Sequence, residues 1–165
     1  MKRRGVLLLT SIVVMVVVGA GVALAANIDC GDKPGAGCLG TNQQDTITGT
    51  SGVDIITAAA SGDLVNAFGG GDEVYGDSGG DTLNGGNGND YLEGGSGANQ
   101  VFGQAGDFDV VNVVDGDGND FASGGDGTDD ACIIDDDSAE IFGPDVPDDF
   151  SNSCEFVYET DQIIP

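Results

Sequence analysis

The stretch GGNGNDYLE, residues 85–93, is the clearest copy of a unit that repeats along the middle of this chain. Glycine fills its first, second and fourth places, Asp90 its sixth and Leu92 its eighth. Blocks of nine counted from Gly40 keep an Asp at the sixth place and an aliphatic residue at the eighth through six consecutive copies. The sixth-place residues are Asp45, Asp54, Asp63, Asp72, Asp81 and Asp90, and the eighth-place residues are Ile47, Ile56, Val65, Val74, Leu83 and Leu92. This period predicts a repeat protein in which every unit has the same local structure.

The period continues beyond residue 93 with departures. The block 94–102 has Asn99 at the sixth place, and its eighth place is Val101. The block after it has Phe108 at the sixth place and Val110 at the eighth. We expect Phe108 to interrupt the row of acidic residues.

A three-residue insertion at 112–114 is expected before the last two blocks. The register then returns with Asp120 at a sixth place. In the block 124–132 the sixth place is Asp129 and the eighth is Ala131.

The residue types fit these spacings. Glycine adopts left-handed backbone conformations readily, so a glycine-rich turn can bring its carbonyl oxygens close to one point. The sixth-place carboxylate adds further oxygens, and the eighth-place aliphatic side chain points inward from a short strand. Because Ca²⁺ binds oxygen ligands almost exclusively, such a turn suits this cation.

Residues 40–132 resemble the RTX family of hemolysin-type calcium-binding repeats. The resemblance implies an all-β fold, a parallel β-roll (a β-solenoid), with two nonapeptides in each coil. The first six residues of a unit then form a calcium-binding turn and the last three a strand. Turns 18 residues apart stack, and several Ca²⁺ ions lie between neighbours in two rows. The expected rows are Asp45, Asp63, Asp81, Asn99 and Asp120 on one side, and Asp54, Asp72, Asp90 and Asp129 on the other.

The resemblance also indicates which turns bind the ions. The block 58–66 lacks all three motif glycines, and Asn99 offers only a neutral oxygen, so Asp63 and Asn99 are expected to bind more weakly. Asp45 is also grouped with these less certain ligands. The principal metal-binding candidates are Asp54, Asp72, Asp81, Asp90, Asp120, Asp129, Gly76, Gly79, Gly85, Gly86, Gly88, Gly124, Gly125 and Gly127.

The charge of the chain excludes several classes of function. It has 29 Asp and Glu, 4 Lys and Arg and no His, for a formal net charge of −25. Lys33 is the only basic residue after residue 4, so no basic patch for nucleic acid or an anionic membrane can form. Catalytic triads and zinc sites that need His are excluded as well. A Gly-rich, acidic chain is also expected to be unfolded until the cation binds.

The N-terminus indicates export. Basic residues at positions 2–4, an apolar run from Val6 to Val18 and an A-x-A box ending at Ala25 predict a signal peptide, residues 1–25, cleaved after Ala25. General secretion fits better than the twin-arginine route. The alternative is an uncleaved anchor over residues 5–26, which would tether the protein to the cell surface.

The four cysteines all follow this segment, and an even number in an exported chain predicts disulfides. Of the three connectivities, we favour Cys30 with Cys38 and Cys132 with Cys154, since each pair then closes one end of the repeats. A four-cysteine zinc site is disfavoured because short C-x(2–4)-C spacings are absent.

The expected organisation is an N-terminal cap at 26–39, the roll at 40–132 and a C-terminal cap at 133–165. These flanking segments are too short for a catalytic domain, so we expect no enzymatic activity. The sequence favours a secreted, monomeric calcium-binding protein of bacterial origin. The alternative is a surface or matrix adhesion module whose protein or glycan partner is open.

Overall fold

A computed structural model gives the fold and describes residues 26–31, 37–115, 120–134, 154 and 156–159. The expected signal peptide 1–25, and with it the alternative membrane anchor, lies outside these residues, as does most of the segment 133–165. Among the described residues, no helix is both long and apolar enough to cross a membrane.

Two parallel sheets form the body of the protein, and the chain passes from one to the other in successive coils. The first sheet has the order β1-β3-β5-β7-β9-β11 and the second β13-β12-β10-β8-β6-β4-β2. The strands of the first sheet are β1 (Ala26–Asp29), β3 (Asp45–Thr48), β5 (Leu64–Gly69), β7 (Thr82–Asn87), β9 (Gln100–Ala105) and β11 (Phe121–Asp126). Those of the second are β2 (Gly37–Leu39), β4 (Ile55–Thr57), β6 (Glu73–Tyr75), β8 (Tyr91–Glu93), β10 (Val110–Asn112), β12 (Ala131–Ile134) and β13 (Phe156–Glu159). The all-β parallel solenoid expected from the repeats is confirmed.

Inward side chains from the strands β2 to β12 form most of the core, and Ile28 of β1 packs against it. In the first sheet Ile47 lies beside Val65, and Leu83 beside Val101, each pair on neighbouring strands. The seven eighth-place residues up to position 101 have no exposed surface: Ile47, Ile56, Val65, Val74, Leu83, Leu92 and Val101. The strands are short because each contributes one or two inward residues before the chain turns to the opposite sheet.

After residue 101 the inward positions differ from the expected ones. Val111 and Cys132 are fully buried where Val110 and Ala131 were predicted. Val111 pairs with Leu92 of β8, so the chain has gained one residue before β10. Because strand pairing and the core fix the inward residue, the turns contain the additional residues. The expected single insertion at 112–114 is therefore wrong, and the extra residues are distributed.

Disulfides lie at both ends of the coil stack. Cys30 is bonded to Cys38 and Cys132 to Cys154, which confirms the predicted connectivity. β1 pairs with β3 and β2 with β4, and β13 adds a strand beside β12 at the other end.

Candidate metal centre

The sixth-place side chains of the first row form a continuous hydrogen-bonded ladder. The backbone N–H of Asp45 donates to Oδ1 of Asp63 at 2.7 Å, and that of Asp63 donates to Oδ1 of Asp81 at 2.7 Å. The ladder continues from Asp81 to Oδ1 of Asn99 at 2.9 Å and from Asn99 to Oδ1 of Asp120 at 2.7 Å. The row predicted from the sequence has the same five members.

The second row has the same bonds but two different members. Asp54 donates to Asp72, and Asp72 donates to Asp90, each from backbone N–H to Oδ1 at 2.8 Å. Asp90 then donates to Asp109, and Asp109 to Asp130, again at 2.8 Å.

Asp109 therefore occupies the place predicted for Phe108, and Asp130 the place predicted for Asp129. Asp109 and Asp130 have no exposed surface, whereas Phe108 is 56% exposed. Asp129 is exposed and has a left-handed backbone, with φ of 66°. Phe108 does not interrupt the row. The spacing Asp-x-apolar residue, present at 109–111, would have located Asp109, whereas both Asp129 and Asp130 meet it at 129–132.

The second carboxylate oxygen differs from the first in having no hydrogen-bond partner. This holds for Oδ2 of five buried residues that are each at most 3% exposed. They are Asp63, Asp72, Asp81, Asp90 and Asp109. A buried carboxylate oxygen without a donor or cation is costly, so a recurrent one indicates a missing positive ligand.

First-place glycines leave the space beside these oxygens. A Cβ on Gly76 would lie 2.7 Å from Oδ2 of Asp81, and one on Gly103 would lie 2.6 Å from Oδ2 of Asp109. The same Cβ on Gly76 would also contact the carbonyl oxygen of Gly94, which lies one coil further on. Gly85 and Gly124 lie in the same way beside Asp90 and Asp130. A side chain at these places would fill the position where carboxylate and carbonyl oxygens converge.

Left-handed residues at the second and fourth places give these turns their shape. Gly86 and Gly88 have φ of 116° and 129°, and Gly79 and Gly125 have φ of 145° and 108°. Gly127 packs against the carbonyl of Gly106 in the turn before it.

The block 58–66 adopts this turn shape although its glycines are missing. Ala59 and Ser61 have φ of 83° and 80°. The cost of a left-handed non-glycine residue is about 1–2 kcal/mol, so the turn is present but strained. Its first place is Ala58, whose methyl group occupies the position that glycine leaves open.

The first turn of each row is different, because its carboxylate is paired within the turn. Oδ2 of Asp54 accepts hydrogen bonds from the N–H of Thr50 at 2.6 Å and from its hydroxyl at 2.9 Å. Oδ2 of Asp45 accepts from the N–H and hydroxyl of Thr41 at 2.6 and 2.9 Å. Oδ1 of Asp45 has a further donor in the N–H of Ala26, whereas Oδ1 of Asp54 has none. Asp45 therefore has no free carboxylate oxygen for a cation, whereas Asp54 has one, its Oδ1, where the middle residues of the rows have Oδ2.

Burial changes the acidity of the middle carboxylates. It raises the pKa of Asp72 and Asp81 to about 6 and that of Asp109 to about 7, while the backbone N–H that each accepts acts in the opposite direction. Repulsion from row neighbours adds to the increase. The pKa values of Asp63 and Asp90 are also raised by burial. The buried carboxyl groups of the two rows are thus protonated more readily than exposed ones, at the positions that a cation would fit.

A cation in these turns needs backbone ligands as well as side chains. Within the described residues, no three acidic or cysteine side chains converge on one point. The same residues include no Lys, Arg or His, so a protein cation does not neutralise the rows there. Buried carboxylate oxygens beside convergent carbonyls fit Ca²⁺, which accepts six to eight oxygen ligands in flexible geometry.

Comparison with known families agrees with this geometry. Residues 39–74 and 75–107 match the family model of the RTX calcium-binding nonapeptide repeat, in 4 copies. These residues are RTX repeats. Searches of curated proteins and of solved structures each found no match. The hydrogen-bonded rows of the structure continue past the matched residues, to Asp120 and Asp130.

Proposed function

We propose that this protein is a secreted calcium-binding protein whose RTX turns hold several Ca²⁺ ions between stacked coils and which folds as it binds them. The observation that carries the proposal is the recurrence of a buried, unpartnered carboxylate oxygen in five of the six turns from that of Asp63 to that of Asp109. Asp81, Asp90 and Asp109, whose turns begin with glycine, are the ligands we assign first, and Asp63 and Asp72, whose turns begin with Ala58 and Ala67, come after them. Asp120 and Asp130 occupy equivalent row positions nearer the C-terminus.

Electrostatic repulsion within the rows supports coupled folding. Row neighbours lie one strand apart, about 4.8 Å. Two carboxylates at that distance repel by about 3 kcal/mol at an effective dielectric near 20. Summed along two rows, this repulsion is comparable to the whole stability of a small domain, 5–15 kcal/mol. Cation binding and folding are then a single event.

Export is supported by the chemistry of the cysteines. Disulfides form and persist in oxidising compartments, and both bonds lie at the ends of the array. Extracellular calcium in the millimolar range is sufficient for weak sites of this type. The expected signal peptide 1–25 and its cleavage after Ala25 belong to the same proposal. No catalytic role is proposed.

The test is a calcium titration of the secreted, disulfide-bonded protein, followed by circular dichroism and calorimetry. We expect coil in chelator and a cooperative gain of β structure at about 0.1–1 mM Ca²⁺. Mg²⁺ is the matched control, because it prefers strict octahedral geometry and retains its water, and it should not fold the chain at the same concentration. Equal β structure in chelator and in calcium would refute coupled folding, and zero bound ions would refute the function.

An adhesive role is the alternative, and the arrangement of the aromatic residues favours it less. Tyr75 and Tyr91 pack on the second sheet with ring centroids 6.0 Å apart, whereas Phe102 and Phe121 pack on the first sheet at 5.3 Å. These four rings therefore form two separate pairs on different sheets, and the exposed Phe68 and Phe108 belong to neither pair. Direct binding of a glycan or cell surface by the calcium-loaded protein would reverse this preference.

A further inference from the structure

Asn99 occupies a carboxylate position in the first row but has a different second atom. Its Oδ1 accepts from the N–H of Asp81 at 2.9 Å, and its own N–H donates to Oδ1 of Asp120. The ladder bond identifies Oδ1, so the side-chain nitrogen faces the interior of its own turn. At this position several of the Asp turns have an unpartnered Oδ2 instead.

That nitrogen is fully engaged. Nδ2 of Asn99 donates to the carbonyl oxygen of Gly95 at 2.8 Å and to that of Gly97 at 2.9 Å. Gly95 and Gly97 are the second and fourth places of the turn, with φ of 77° and 115°. Asp77 and Gly79 hold the same places in the turn before it and are left-handed as well, with φ of 66° and 145°.

The Asn99 turn thus identifies where a cation belongs in its neighbours. Two carbonyl oxygens face the sixth-place side chain, and an N–H₂ group satisfies both. In the turn of Asp81 that group is replaced by Oδ2, which has no donor, and of the two equivalent carbonyl oxygens that of Asp77 accepts from Ser96 in the next coil. Oxygens cannot satisfy one another, whereas a cation between them can.

We infer that the Asn99 turn binds no calcium and that its amide takes the place of the ion. Two N–H donors point where the ion would lie, and the carbonyls that would bind the ion are already paired. The neutral side chain also removes one charge from the middle of the first row, between Asp81 and Asp120. This turn is closed without calcium, whereas the turns of Asp81 and Asp90 need it. The inference rests on the proposed function.

Three variants test the inference by counting bound ions with calorimetry and measuring the calcium midpoint of folding with circular dichroism. Asn99→Asp restores an oxygen-only turn, so the secreted protein should bind one ion more than the natural chain. Asp81→Asn makes the opposite change and should bind one ion fewer. Asn87→Asp is the charge-matched control, because Asn87 is exposed in the neighbouring turn, and it should leave the count unchanged.

A fourth variant separates the amide from the simple loss of a carboxylate. Asp81→Ala should also bind one ion fewer, but it has no amide to pair with the carbonyls of Asp77 and Gly79. We therefore expect its calcium midpoint to be at least about twofold higher than that of Asp81→Asn, since the two amide bonds and the ladder bond from the N–H of Asp63 are all missing.

The outcomes distinguish the inference from the function on which it rests. No bound calcium in the natural protein would overturn both. Calcium binding with the same ion count in Asn99→Asp would overturn the inference and leave the function intact. If Asn99→Asp does not fold, equal midpoints for Asp81→Asn and Asp81→Ala would still show that the amide does not replace the ion.

Discussion

Acidification should partly replace calcium in folding this protein. The buried carboxyl groups of Asp72 and Asp81 have pKa values raised to about 6, and that of Asp109 is raised to about 7, from an ordinary value of 3.8. A group whose pKa is higher in the folded state binds its proton more tightly there. Its effect on stability is therefore favourable at low pH and is lost as the pH rises through the folded-state pKa.

The size of the effect follows from the number of protons. Near pH 5 these three groups are largely protonated in the folded, calcium-free protein and largely ionised in the unfolded chain. The folded state then holds up to three additional protons. Each contributes about 1.4 kcal/mol to the free energy of unfolding per pH unit. Between pH 7.5 and 5 the folded fraction in chelator should rise, and the free energy of unfolding should change most steeply near pH 5, where the difference in bound protons is largest.

Circular dichroism in excess chelator at fixed ionic strength measures this change, and calcium-loaded protein serves as the reference. Neutralisation of surface charge also favours folding at low pH, so we compare two variants of one turn. Asp109→Asn removes a buried group of the second row and should reduce the slope with pH. Asp107→Asn removes an exposed charge two residues away and should change it less, because salt screens exposed charges. Equal slopes for the two variants, or no gain of β structure by pH 5, would refute the reasoning.

Three further predictions concern single positions. Asp90→Ala should reduce calcium affinity more than Asp63→Ala, because the turn of Asp63 has alanine at its first place and its methyl group occupies the position beside the carboxylate. Equal losses of affinity in calorimetry would show that this ranking is wrong. Leu83→Ala should lower the free energy of unfolding in saturating calcium by about 3 kcal/mol, because the side chain is fully buried; a urea titration showing less than about 1 kcal/mol would contradict its place in the core. Phe68→Gly should raise the free energy of unfolding, measured by thermal denaturation, by up to about 1 kcal/mol, because Phe68 is 55% exposed and has a left-handed backbone with φ of 76°. Leu64→Gly, in a regular strand, should lower it. The same sign for both variants would argue against backbone strain at Phe68.

Much of the site could be predicted because the repeat has a fixed period. As long as units are nine residues long, position in the sequence determines position in the coil. The first row from Asp45 to Asp120 was therefore correct. The prediction failed where turns gained residues, since sequence spacing alone does not show which of Asp129 and Asp130 points inward. Strand pairing decides this, because Cys132 must face the core.

The sequence by itself determined the nine-residue period and the inward residues to position 101, and its resemblance to RTX repeats implied the solenoid and the first row. Only the tertiary structure decided what the second atom of each row side chain contacts. Threonine pairs Oδ2 of Asp45 and of Asp54, whereas Oδ2 of Asp81 and of Asp90 has no hydrogen-bond partner. The amide of Asn99 closes its own turn. The physical reason is that hydrogen-bond satisfaction depends on which groups the folded backbone brings within about 3 Å, and a nine-residue pattern does not specify those distances.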